Sequence, residues 1–206
     1  MRFNKILFIA ALISIIYACT NSKTDSYIQE IQAWQDTLNL EFKDTTESPL
    51  TKENYEIFHG LDFYKIDPKY RIVARFIRTP DEQPFGMKTT TDRLPVYVKY
   101  GEAYFVLDGE KCRLNVYQNQ ELIKLEQYRD YLFIPYLDKT SGKESYGGGK
   151  YLDLRIPAGD SLVIDFNKAY NPYCAYNHRY SCPIPPYENT LNVEVKAGVK
   201  AYGEEH

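Results

Sequence analysis

Histidine is scarce in this chain of 206 residues: only His59, His178 and His206 occur, and the last is the terminal residue. A thiolate nucleophile needs a partner base, so cysteine catalysis has little to draw on. No Gly-x-Ser-x-Gly elbow, His-Glu-x2-His helix or dinucleotide-type glycine pattern is present. Gly147-Gly148-Gly149 lacks the Gly-Lys-Ser/Thr ending of a phosphate loop, and no helix is expected after it. No basic run stands out, which argues against a nucleic-acid partner. No repeat of 20–50 residues occurs. A content of 44% hydrophobic and 15% aromatic residues excludes a disordered tail, and the length suits one domain.

The one long apolar run, Ile6–Ala18, is too short to span a bilayer. Thirteen helical residues reach roughly 20 Å, against a hydrocarbon core of about 30 Å. Behind the basic start of Arg2 and Lys5 it reads as a signal-peptide core. The following Ile16-Tyr17-Ala18-Cys19 resembles a bacterial lipobox, with Tyr17 bulkier than usual. Residues 1–18 are therefore expected to be removed and Cys19 to carry the lipid, leaving 19–26 as a tether and 27–203 as one domain. Acyl chains anchor by about 0.8 kcal/mol per buried methylene. The expected partner is a bacterial membrane, the outer one facing the periplasm. Processing leaves 23 basic against 28 acidic residues, a charge of −5.

Ile28, Ile31, Trp34, Leu38 and Phe42 recur at helical spacing, with Asp25 or Ser26 as candidate cap, and Ser48-Pro49 stops the helix. A second short helix fits 51–58, capped by Thr51. From Gly60 the period becomes two. Val96-Val98-Tyr100, Ala103-Phe105-Leu107, Leu114-Val116, Leu152-Leu154-Ile156, Leu162-Ile164-Phe166 and Leu191-Val193-Val195 each alternate with polar neighbours or surface positions. Asp108-Gly109 supplies the backbone angles of a tight hairpin. With no room for crossover helices, the expected fold is mainly β: an antiparallel β-sandwich or partly open barrel with one or two N-terminal helices.

Two segments exceed what a turn needs: 137–151 and 167–189. The second holds Tyr170, Tyr173, Tyr176, Tyr180 and Tyr187 among four prolines, so it is expected to be ordered. It also holds Cys174 and Cys182, eight positions apart. A disulfide there would close a loop of about nine residues and add roughly 2–3 kcal/mol. Cys174-x3-His178-x3-Cys182 departs from zinc spacings, and no metal is assigned. Cys112, in phase with Leu114 and Val116, reads as a core residue. The glycine run fits either an anion cradle or a plain hairpin end. Asp138, Glu144 and Asp153 fall within sixteen residues, with Asp165 beyond. Paired carboxylates can act as acid and base, or Asp138 can simply hold loop backbone.

The runs at 58–76, 132–153 and 165–200 resemble the bacterial and archaeal domain-of-unknown-function 1684 family, over about residues 27–200. Asp138, Thr140, Ser141, Gly142, Glu144 and Tyr146 match its pattern in the first long loop, with Lys150 where Arg is usual. Asp165, Asn167, Tyr170, Asn171, Cys174, Cys182 and Asn189 match in the second, whereas His178 does not. The resemblance implies where a site lies and no chemistry; cofactors stay unknown.

The first reading is a lipid-anchored envelope protein binding a small polar ligand, such as a sugar or cell-wall fragment, between the two loops. Tyrosines would stack on it, and Asp138, Thr140, Ser141, Glu144, Tyr146, Asn167, Tyr170 and Asn171 are the candidates to bind it or act on it. A hydrolase using Asp138 or Glu144 is the second reading. The third is a structural envelope lipoprotein whose loops staple the sheet. Strand arithmetic, running out from Tyr151 and back to Phe166, places both loops at one end of the sheet.

Overall fold

The computed structural model describes residues 24–203; the expected signal peptide, Cys19 and the expected tether up to residue 23 lie outside the described residues. Helix α1 covers 24–43, so Thr24, Asp25 and Ser26, assigned above to the tether or to a cap, already lie within the helix. No described helix is long and apolar enough to cross a membrane. The periodic stripe of α1 is the buried side, led by Ile31 and Phe42. Helix α2, Lys52–Glu56, starts at Thr51, whose hydroxyl accepts from the Asn54 N–H at 3.2 Å, as the capping preference predicts.

Seven strands follow: β1 (Arg71–Arg78), β2 (Phe85–Gly86), β3 (Val96–Leu107), β4 (Glu110–Asn119), β5 (Tyr131–Tyr136), β6 (Lys150–Arg155) and β7 (Ser161–Asp165). They form one sheet in the order β6-β5-β4-β3-β1-β7, with β2 paired to β3. Every pairing is antiparallel. The sheet curls into a half-barrel, which is the mainly β, partly open architecture expected. Asp108 and Gly109 both take positive φ, 50° and 83°, and turn β3 into β4 with Leu107 opposite Glu110.

Alternate residues line the barrel interior: Leu114 and Val116 of β4, Leu132, Ile134 and Tyr136 of β5, Leu152 of β6, Leu162 and Ile164 of β7. Cys112 belongs to this core, as its phase implied. The opposite face of the central strands is not left to water. Tyr97, Tyr117, Phe133 and Tyr151 gather there with Cys174 and Cys182 of the second long loop in a separate cluster. The second loop is thus a lid on the outer face of the sheet.

Two expectations about strands need correction. First, β6 and β7 do not form a hairpin ladder. β7 pairs with β1 along five residues, from Arg71–Asp165 to Arg75–Ser161, and β6 pairs with β5. The two are the edges of the sheet, so the barrel stays open between them. The return to β6 is made four residues later than Phe166, where Tyr151 and Tyr170 exchange two backbone hydrogen bonds of 2.8 and 3.1 Å. Second, 191–195 bends at residues 192 and 193 and joins no ladder. Leu191, Val193 and Val195 are buried as the alternation suggested, yet the backbone of 189–193 bonds to Leu137 and Lys139 through an isolated parallel bridge. Its apolar side closes the barrel end, packed on the loop that leaves β5 rather than on a strand edge.

Candidate functional site

The two long loops do meet at one end of the molecule. Tyr146 Oη lies 3.8 Å from Cys174 Sγ. Glu144 O accepts from the Ala201 N–H at 3.0 Å, and the neighbouring Lys200 O accepts from Asn171 Nδ2 at 2.7 Å. Four of the eight candidate residues, however, are buried: Asp138, Thr140, Asn167 and Asn171.

Asp138 is the clearest case. Its Oδ1 accepts from the N–H groups of Thr140 (2.8 Å) and Val195 (3.1 Å), and its Oδ2 lies 3.3 Å from Lys150 Nζ. Neither side chain of that ion pair exposes any surface. Lys150 also donates to Val195 O at 3.0 Å, beneath the rings of Tyr64 and Tyr136. Burial lowers the Lys150 pKa, opposed by the Asp138 carboxylate. Thr140 and Ser145 share a buried hydroxyl contact of 2.7 Å, and Ser141 Oγ accepts from the Asp138 N–H at 3.1 Å. Glu144 is exposed and faces Lys196 at 3.5 Å. Asn167, only 2% exposed, ties Asp67 to the fold through both of its side-chain atoms and donates to Tyr27 Oη at 2.8 Å.

The glycine run has a steric reason. Gly149 takes φ of 88°, and a Cβ there would sit 2.5 Å from Tyr136 O and 2.8 Å from Pro185 Cγ. Only glycine lets the chain enter β6 beside β5 at that point.

Asn189 was matched above without a role, and the structure supplies one. Its side chain accepts from the Asn115 N–H at 2.8 Å and donates to Asn115 O and Pro135 O, both at 2.9 Å, with no surface exposed. β4 and β5 share a single registered pair, Tyr117–Phe133, so this amide fills the gap in their ladder.

Cys112, Cys174 and Cys182 are free thiols. The Cys174 N–H points at Cys182 Sγ at 3.1 Å, so the two lie side by side. Hydrogen bonding from Cys182 lowers Cys174 to about 7, and the same coupling raises Cys182. Cys182 borders a cavity of about 280 Å³ walled by Tyr151, Tyr170, Tyr173 and Tyr180. His178 is exposed, apart from the buried thiols.

An open polar site lies next to this cavity, between α1 and the second loop. A cleft of about 250 Å³ is walled by Trp34, Tyr170, Tyr173 and Tyr176 and carries Glu41, Asp153 and Asn171. Asp153 stands on the outer face of β6, opposite Phe133. Its Oδ1 accepts from Tyr131 Oη at 2.6 Å and from Tyr170 Oη at 2.7 Å. Desolvation raises its pKa, offset in part by those two hydroxyls and by Arg155. Asp153 keeps an exposed surface and lines the cleft. The Asn171 carbonyl Oδ1 is buried and has no hydrogen-bond partner.

Of the candidate residues, Tyr170 and Asn171 line this cleft, whereas Asp138, Thr140 and Asn167 expose 6, 2 and 2%. Asp153, one of the clustered carboxylates, and Trp34, a member of the helical stripe, stand outside the candidate set. Strand phase carries a signal for Asp153. Asp153 is in phase with Tyr151, outside the barrel, while Lys150 is in phase with Leu152, and Asp138 with Ile134 and Tyr136, inside it.

No curated protein matches the chain. A solution NMR structure of an uncharacterised protein from Haloarcula marismortui is similar at 33% identity and a TM-score of 0.67, over 87% of this chain and 97% of that one. The description "Protein of unknown function (DUF1684)" matches residues 56–200, which includes both long loops. With most of its length covered and the same fold in a relative of this identity, the chain belongs to the DUF1684 family.

Proposed function

We propose that the chain is a lipid-anchored envelope protein whose β-rich domain binds a small polar ligand. The leader and lipobox-like Cys19 support the anchor. The carrying observation for the ligand is Asp153, a carboxylate held by two tyrosine hydroxyls at the floor of an aromatic cleft. Such a mix of aromatic wall and few convergent polar groups is what small-molecule sites present. The binding place moves accordingly from the space between the two long loops to the cleft between α1 and the second loop. A hydrolase using Asp138 gains little support, because that carboxylate is engaged by Lys150 and two backbone amides out of reach of solvent. The stapling role suits the Asp138 half of the molecule and leaves the cleft free for binding. In an oxidising envelope we also expect Cys174 and Cys182 to join, since their sulfur and amide groups already touch.

Mass spectrometry of the mature protein tests the anchor: an acylated Cys19 supports it, and an intact Met1 or a soluble unacylated product removes it. A thermal-shift screen of sugars, amino sugars and amino acids on the full chain tests binding. A saturable rise in Tm that Asp153→Asn abolishes is the expected result; no rise with any of them rejects the reading.

A further inference from the structure

We propose, resting on the cleft as the binding site, that its ligand is an organic cation carrying a primary ammonium or guanidinium group. The charged groups of the cleft and its one unpartnered amide oxygen are acceptors. Asp153 and Glu41 are carboxylates, and the Asn171 carbonyl has no donor. The Asn171 amide nitrogen is already committed to Lys200 O at 2.7 Å and to Tyr176 Oη at 3.3 Å, so the carbonyl is the end left over. The Tyr170 hydroxyl is committed as well, donating to Asp153. Among the described residues, no lysine, arginine or histidine lines the cleft. An anionic ligand would therefore meet two carboxylates and no cation. A neutral polyol would bring no positive charge to Asp153 and Glu41.

The walls agree with the floor. Trp34, Phe42, Tyr170, Tyr173 and Tyr176 surround the space, and an aromatic face attracts a cation through its quadrupole, tryptophan most strongly. N–H groups of the ligand would reach Asp153 and the Asn171 carbonyl while its carbon skeleton lies against the rings. At about 250 Å³ the cleft takes a small head group; pockets for drug-sized molecules start at about 300 Å³.

The chain's single tryptophan is Trp34, so its emission reports on the cleft alone. The probes are cyclohexylammonium chloride, cyclohexanol as a neutral match in size, and glucose as a neutral polyol, each titrated into the full chain at fixed ionic strength. The expected result is a saturable Trp34 shift with cyclohexylammonium alone. Asp153→Asn weakens it at least tenfold, and Glu41→Gln, an exposed charge, about threefold. Circular-dichroism melts check that both variants fold; if Asp153→Asn does not, Glu41→Gln carries the test. An equal shift with cyclohexanol or glucose overturns the cation assignment while the cleft remains a binding site. No saturable shift with any of the three overturns both.

Discussion

Asp138 and Asp153 belong to the same pair of strands, and the fold uses them in opposite ways. Asp138 follows β5 in the interior phase and meets Lys150, the residue registered opposite Tyr136 at the start of β6. Asp153 lies further along β6 in the exterior phase and is held by tyrosine hydroxyls. The first is a sealed ion pair that pins the C-terminal segment through Val195. The second is a carboxylate kept in a costly place with hydroxyls, and no ammonium, as its bonded partners. Side-chain phase on one hairpin thus separates a structural acid from a candidate binding acid.

The largest expected effect breaks the sealed half. Asp138→Asn keeps the acceptor for Thr140 and Val195 but leaves Lys150 uncompensated, and losing one partner of a buried pair costs about 3–5 kcal/mol. Urea unfolding should show that loss. Replacing both partners together, Asp138→Leu with Lys150→Met, should recover much of it, because an apolar pair removes both desolvation penalties. If the single variant is as stable as the wild type, the pair is not a staple.

Asn189→Ala comes next. It strips partners from the Asn115 N–H and from two carbonyls between β4 and β5. A buried unsatisfied group costs about 1–3 kcal/mol, and at the low end for each of the three, as water enters the space left, about 3 kcal/mol should be lost. Faster hydrogen exchange confined to β4 and β5 would locate the damage; protection unchanged there would contradict the role.

Oxidation of Cys174 and Cys182 should be milder, adding roughly 2–3 kcal/mol for a short loop. Thiol labelling of protein taken directly from cells should modify Cys174 and Cys182 only after reduction. Full labelling without reductant rules the bond out.

The smallest effect on stability belongs to Asp153→Asn. Folding raises the Asp153 pKa, so the folded state holds this proton more firmly than the unfolded chain does. The site therefore costs stability as pH rises from the ordinary aspartate range through the raised value, and that cost persists at neutral pH. The neutral amide of Asp153→Asn escapes it, so the variant's Tm at neutral pH should equal or slightly exceed the wild type's. Binding runs the other way: cyclohexylammonium affinity should be full above the raised pKa and fall as acid protonates Asp153. The tyrosines near it, Tyr97, Tyr131, Tyr170 and Tyr173, are all pushed up by burial and keep their charge in that range, and the profile is measured in the Glu41→Gln variant so that Asp153 is the one carboxylate lining the cleft among the described residues. An affinity flat across that range would point away from Asp153.

Much of the fold was legible because it rests on local chemistry: the Ile28-to-Phe42 stripe, the Thr51 cap, the Asp108-Gly109 turn and the period of two. The pairing of β7 with β1 was not, since a ladder between distant strands depends on how the sheet curls. The 191–195 segment alternates as a strand does, yet its partners are a loop and a carboxylate, which no periodicity records. At the site, polar residues of the two loops drew attention by type, and burial then divided them. Phase within β6 held the needed information about Asp153, but the tyrosines that make it a cleft floor come from β5 and from a loop whose path over the outer face only the structure supplies.

The division between the two aspartates is tested most directly by melting Asp138→Asn and Asp153→Asn side by side, each with and without cyclohexylammonium chloride. Asp153→Asn should melt with the wild type and lose the ligand-induced rise in Tm. Asp138→Asn should melt roughly 10 °C lower, at about 2–4 °C per kcal/mol for a domain of this size, and keep that rise. The reverse pattern, with Asp153→Asn unstable and Asp138→Asn unable to respond to ligand, would contradict the account.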